Sequence, residues 1–185
     1  MALNISYRPI PATSTNQAAY VHEVAKKICD EAVEQAGSKL TPIQQKQSLK
    51  HLFQHPDFIK SFKYSLASGV AQTLALHDRH VQAVHLFEPS FNPDAEVSGQ
   101  LALEATIHLL VVVETPSAAL EALITSLDHG LIHCLGHLPS TLFAQRPLIL
   151  DVSLITKEAV ERQRGLGAML SSVFAPPLKL WERNF

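Results

Sequence analysis

The chain is predicted to be an α+β protein, a small mixed sheet with packed helices that follows an N-terminal helical extension. Three observations predict it. Apolar residues recur at helical spacing through the first 77 positions, and three short apolar runs with the length of strands come after them. Between the second and third runs lies a single long amphipathic segment, which is the alternation expected of a sheet layered with helices.

The first dozen residues carry Pro9 and Pro11 and are expected to form an extended arm. Ser14 and Thr15 then mark a helix start, and Val21, Val24, Ala25, Ile28 and Ala32 form its stripe until Gly37 stops it. Thr41-Pro-Ile-Gln44 is a capping box with proline at the first helical position, predicting a second helix over 41–55 that Pro56 ends. A third helix is expected from Asp57, burying Phe58, Phe62, Leu66, Val70, Thr73 and Leu74. Val81-Gln-Ala-Val-His-Leu-Phe87 reads as a strand, and residues 88–100 as a loop with two prolines and Gly99. The central strand falls within 101–113 and is nearly all apolar, as when both faces are covered. Thr115-Pro-Ser117 opens a helix to about Leu138. A third strand over 148–155 puts Leu148, Leu150, Val152 and Leu154 on one face and Asp151 and Ser153 on the other. A short helix over 157–162, a Gly165-Leu-Gly167 turn, a short helix near 168–173 and an extended piece over 178–181 complete the pattern. This divides the chain into a helical extension, 1–75, and an α/β unit, 76–185.

With 185 residues, 46% of them hydrophobic, the chain is long and apolar enough to bury a sizeable core. No apolar run approaches the roughly 18 residues that span a bilayer, and the N-terminus lacks a signal-peptide pattern, so a cytoplasmic protein without membrane contact is expected. Net charge is −2, which argues against general nucleic-acid binding. Residues 65–145 hold one basic residue, Arg79, against 8 acids, whereas the flanking segments are net basic. Cys29 and Cys134 lack CxxC spacing and read as packed thiols.

Ten histidines invite a metal reading. His129, His133 and His137 fall at i, i+4 and i+8, opposite the stripe of Leu120, Ile124, Leu127, Leu131, Cys134 and Leu138. They form a row facing water or a partner, and two of them can chelate zinc, copper or nickel if a third ligand arrives from elsewhere. No HExxH pattern is present, which excludes a zincin-type protease. His85 and His108 lie within strands, and with Asp151 they make a His, His, Asp set if all three share a face. His51, His55, His77 and His80 sit near helix ends, where imidazoles bond terminal carbonyls. Arg162-Gln-Arg164-Gly165 supplies charge and backbone donors for an anion, and equally reads as a helix stop.

Phe87 followed by Glu88-Pro-Ser90, then Thr106-Ile-His108-Leu-Leu-Val-Val-Val, then Asp151 within Leu150-Asp-Val-Ser-Leu, resembles the nucleotidyltransferases of the minimal, DNA-polymerase-beta-like type over about 66–181. That family carries Gly-Ser after the first strand, Asp-x-Asp at the second and a third carboxylate later. The resemblance implies a nucleotidyltransferase-like mixed sheet in which Ser90, Thr106, His108 and Asp151 hold the family positions. The departures fall on the chemistry, because a hydroxyl and an imidazole cannot replace two aspartates around Mg2+. Glu88 and Pro89 also stand where a glycine would let backbone amides approach phosphate. The leading expectation is therefore a catalytically degenerate member, without a required cofactor, that binds a protein partner, a second copy of itself or a small ligand such as a nucleotide. Two rivals stand beside it. One is an active enzyme using Glu104, Asp151 and a further acid, Asp94 or Glu96, with Mg2+. The other is a transition-metal protein using His85, His108 and Asp151, or His129 and His133.

Overall fold

A computed structural model describes residues 14–87, 106–139, 143, 146–172 and 176–183. The elements run α1 (Ser14–Ser38), α2 (Leu49–Leu52), α3 (Pro56–His77), β1 (Val81–Phe87), β2 (Ile107–Val113), α4 (Ala118–Gly136), β3 (Leu150–Thr156), α5 (Lys157–Glu161) and β4 (Leu178–Glu182), with 3₁₀ turns at Gln44–Lys46 and Gly165–Ser171. They form an α+β molecule around a four-stranded mixed sheet of order β3-β2-β1-β4. β2 pairs antiparallel with β1 and parallel with β3, while β4 pairs antiparallel with the other edge of β1.

The expected stripes become the core. Phe58, Phe62, Leu66, Val70, Thr73 and Leu74 of α3 are all buried, as are Val21, Ala25, Ile28 and Ala32 of α1. All of these but Thr73 join Ile107, Leu109, Val111 and Val113 of β2 and Leu120, Leu127 and Leu131 of α4 in one cluster. Elements before residue 75 and after it thus share a single core, and α3 itself runs across that position. α3 and α4 lie against one face of the sheet, and α1 packs on both of them as an outer layer. α5 reaches β2 and β3.

Alternation of side chains carries the pattern through β2 and β3. Odd positions of β2 join the helix-side core, whereas His108, Leu110 and Val112 point the other way. Among the described residues, no helix is long and apolar enough to cross a membrane.

The second helix expected over 41–55 is broken. The capping box forms, with Thr41 N donating to Gln44 Oε1 at 3.1 Å and Gln44 N to Thr41 Oγ1 at 3.4 Å. Yet the helix lasts one 3₁₀ turn before Gln47 and Ser48 extend at ψ 155° and 151°. Over 41–48 no apolar stripe holds the chain down, with Ile43 79% exposed, and an isolated short helix is marginal without such packing; α2 forms only beside the buried Leu52 and Phe53. The third strand begins at Leu150 rather than at 148, and the expected short helix near 168–173 is instead the 3₁₀ turn Gly165–Ser171.

Candidate functional site

The residues of interest are set by how β3 is placed beside β2. Asp128 of α4 is buried, and its Oδ1 accepts from the amides of Ile149 and Leu150 at 2.9 and 2.8 Å. That carboxylate fixes the start of β3, and the next residue, Asp151, falls in register with His108. Thr106, expected in the same family set, lies just before β2 and is half-buried.

His108 Nδ1 donates to Asp151 Oδ2 at 2.8 Å. The imidazole is mostly covered, with 20% of its side chain exposed, whereas Asp151 is 53% exposed. A charge-assisted bond of this length orients the ring and engages one oxygen of the carboxylate. His85 pairs across from Leu110, so it shares this face. Burial first, and the Lys179 ammonium second, hold the His85 imidazole below its ordinary value of 6.5.

Sharing a face does not bring three ligands together. Among the described residues, His85, His108 and Asp151 form no group whose donor atoms could close on one ion. The strand pitch separates His85 diagonally from the pair, since it stands opposite Leu110 rather than His108. The expected set thus reduces to the His108–Asp151 pair. Ser90, Asp94, Glu96 and Glu104 lie outside the described residues.

The anion candidate behaves as a helix stop. Arg162, Gln163 and Arg164 donate their amides to carbonyls of α5, and Gly167 donates to Arg164 O. Gln163 and Gly165 turn the chain at φ 49° and 52°, and the Arg162 guanidinium meets Glu158 at 2.7 Å. Gly167 is required because a Cβ there would lie 2.4 Å from Ala159 O.

Histidines near helix ends have local partners. His51 Nδ1 meets Ser48 Oγ at 2.8 Å, and His55 Nε2 meets Gln47 Oε1 at 3.2 Å. His80 Nδ1 reaches Glu114 at 3.3 Å. His77 Nδ1 donates to Thr73 O at 2.8 Å, which leaves Nε2 to accept from Tyr20 Oη at 3.2 Å and so ties α3 to α1.

The row of His129, His133 and His137 is exposed, yet it does not face water alone. His133 packs edge-on against His137 and against His22 of α1, both at 4.8 Å between ring centroids. Cys134 lies next to His133, and the donor atoms of His22, His133 and Cys134 all fall within 4.8 Å of one another. Sequence reasoning missed His22 and treated Cys134 only as packing, because the grouping depends on where two distant helices cross. Asp128, adjacent to the row, is occupied in holding β3.

Cys29 and Cys134 are free thiols, with Cys29 buried. Burial pushes both thiols up, Cys29 further, and at Cys134 the neighbouring Cys29 thiol works against that rise.

No protein-family model matches the chain, and no curated protein or solved structure matches it significantly.

Proposed function

We propose that this chain is a nucleotidyltransferase-like domain whose transfer centre has been replaced by a His108–Asp151 pair, and that it acts in the cytoplasm by binding a partner or a small ligand. The observation that carries the reading is the 2.8 Å bond between those side chains on neighbouring strands. Two-metal transfer needs anionic oxygens around hard Mg2+ ions. Here an imidazole stands beside the remaining carboxylate and engages one of its oxygens, where the family would present a cage of carboxylates. The strand order supports the same reading, since β2 and β3 run parallel with His108 and Asp151 in register.

The rival is an active enzyme that recruits Glu104 to Asp151 and Mg2+. Asp151 favours it to the extent that its side chain is half-exposed. Thermal unfolding of metal-stripped protein with ATP, CTP, GTP and UTP, each with and without Mg2+, separates the two. A ligand at 100 times its dissociation constant adds roughly 2.7 kcal/mol. The proposal expects no Mg2+-dependent shift with any nucleotide. A shift that needs Mg2+ and disappears in Asp151→Asn would overturn the proposal and favour the rival.

A further inference from the structure

We infer that His22, His133 and Cys134 form a transition-metal site that clasps α1 to α4, with Zn2+ as the ion to test first. The inference is independent of the proposed function, because the site lies on the outer helical layer and not on the sheet.

The crossing of the helices builds it. Gly130 of α4 lies against Ala25 of α1 so closely that a Cβ on Gly130 would fall 2.7 Å from the Ala25 Cβ and 3.7 Å from Val21 O. With no side chain in the way, the helices approach until His22, one turn from Ala25, meets His133, one turn from Gly130. The same approach brings Cys134 into the group, and all three donor atoms lie within 4.8 Å of one another. Tetrahedral zinc holds nitrogen at about 2.0–2.1 Å and sulfur at about 2.3 Å, which sets neighbouring donors roughly 3.3–3.8 Å apart. Rotamer adjustment of exposed imidazoles covers that difference.

The donor set selects the class of ion. Two imidazoles and a thiolate suit Zn2+ or Cu+, and they exclude Mg2+ and Ca2+, which take oxygen ligands. Surroundings fit as well. A groove of about 250 Å³, lined by Val21, His22, Ser126, His129, Gly130 and His133, opens beside the group. It leaves a fourth coordination position accessible to water or a small anion. Three protein ligands with an open position is the arrangement zinc adopts where it also does chemistry.

The test uses full-length protein purified without a histidine tag and stripped with chelator. Co2+ is titrated first, then displaced with Zn2+ and, under reducing conditions, with Cu+. The expected result is one equivalent of Co2+ giving a thiolate-to-cobalt charge-transfer band, Zn2+ binding tighter than about 1 μM, and a rise in Tm on loading. Cys134→Ser abolishes the band, and His22→Asn weakens binding at least tenfold, since even outer-sphere changes cost roughly 10–100-fold. His137→Ala, next to the group, retains the band and the affinity. Chelator-treated variants with the wild-type Tm show that loss of metal is not loss of fold. The inference is overturned if no charge-transfer band develops. It is also overturned if Cys134→Ser and His22→Asn bind like wild type, or if His137→Ala alone removes binding, which would assign the metal to the exposed row of α4.

Discussion

Replacing Asp128 with alanine gives the sharpest test of how this fold positions its sheet. The carboxylate is 7% exposed and receives the amides of Ile149 and Leu150 on one oxygen. Alanine leaves two buried N–H groups without an acceptor, at about 1–3 kcal/mol each. The expected loss is thus about 2–6 kcal/mol, a large share of the roughly 5–15 kcal/mol that holds a domain together. Asparagine keeps an oxygen able to accept both bonds and gives up only their charge assistance, so Asp128→Asn should lose about 1–2 kcal/mol. Urea unfolding measures both, through a shift of midpoint at constant slope. A loss under about 1 kcal/mol for Asp128→Ala, or equal losses for the two variants, would refute the argument. Amide exchange adds a local readout, because β3 should open in Asp128→Ala before β1 does and release Asp151 from His108.

Three other outcomes follow from the same structure. The folded protein takes up a proton at His85 less readily than the unfolded chain does, so this histidine's contribution to stability is complete above pH 6.5 and is lost as pH falls through its lowered value; urea midpoints between pH 7.5 and 5 should show that decline, and His85→Gln should flatten it. Gly130→Ala drives a Cβ to 2.7 Å from that of Ala25; overpacking of about 1–3 kcal/mol outweighs the gain of about 1 kcal/mol in helix propensity, and Ala25→Gly should relieve part of the damage as a favourable coupling in a double-mutant cycle. Arg183 donates to Val81 O at 3.1 Å and Ala75 O at 3.2 Å, so Arg183→Ala should lose about 1–3 kcal/mol by leaving both carbonyls short of a donor, which thermal unfolding would detect.

Stripes that one helix or strand can satisfy alone were legible in the sequence. Phe58 through Leu74 at helical spacing gave α3, Ser117 gave the start of α4, and period-two alternation gave the two faces of β3. Ser117 does accept from Leu120 N at 3.1 Å, but it also donates to Asp78 at 2.9 Å, a link across 39 residues that no local pattern carries. The segment over 41–55 misled because its capping signals are genuine while 41–48 lacks a buried face to extend them, so helix returns only at α2, beside the buried Leu52 and Phe53. Within the site, alternation allowed His85, His108 and Asp151 to share a face, but the register that sets His108 beside Asp151 exists only once β2 and β3 pair. Asp128, by contrast, looks like any acid on a helix until β3 arrives beside it. His22 was invisible for a similar reason, although one trace was present: Gly130 interrupts an otherwise strong helix, and a glycine there often marks a close approach.

That α1 lies between α3 and α4 also bears on the order in which the molecule can assemble during synthesis. α3 follows α1 within about 20 residues, but α4 begins some 80 residues after α1 ends, and a ribosome adding roughly 5–20 residues per second needs several seconds to supply it. Throughout that interval α1 and α3 can pair through Ile28 and Gly69 while the other flank of α1, carrying Val21 and Ala25, has nothing to cover it. α1 is made early and enclosed late, so a nascent chain stalled before residue 118 should be the form most readily captured by chaperones, and capture should fade as α4 and then β3, which carries Leu150 of the same core, emerge.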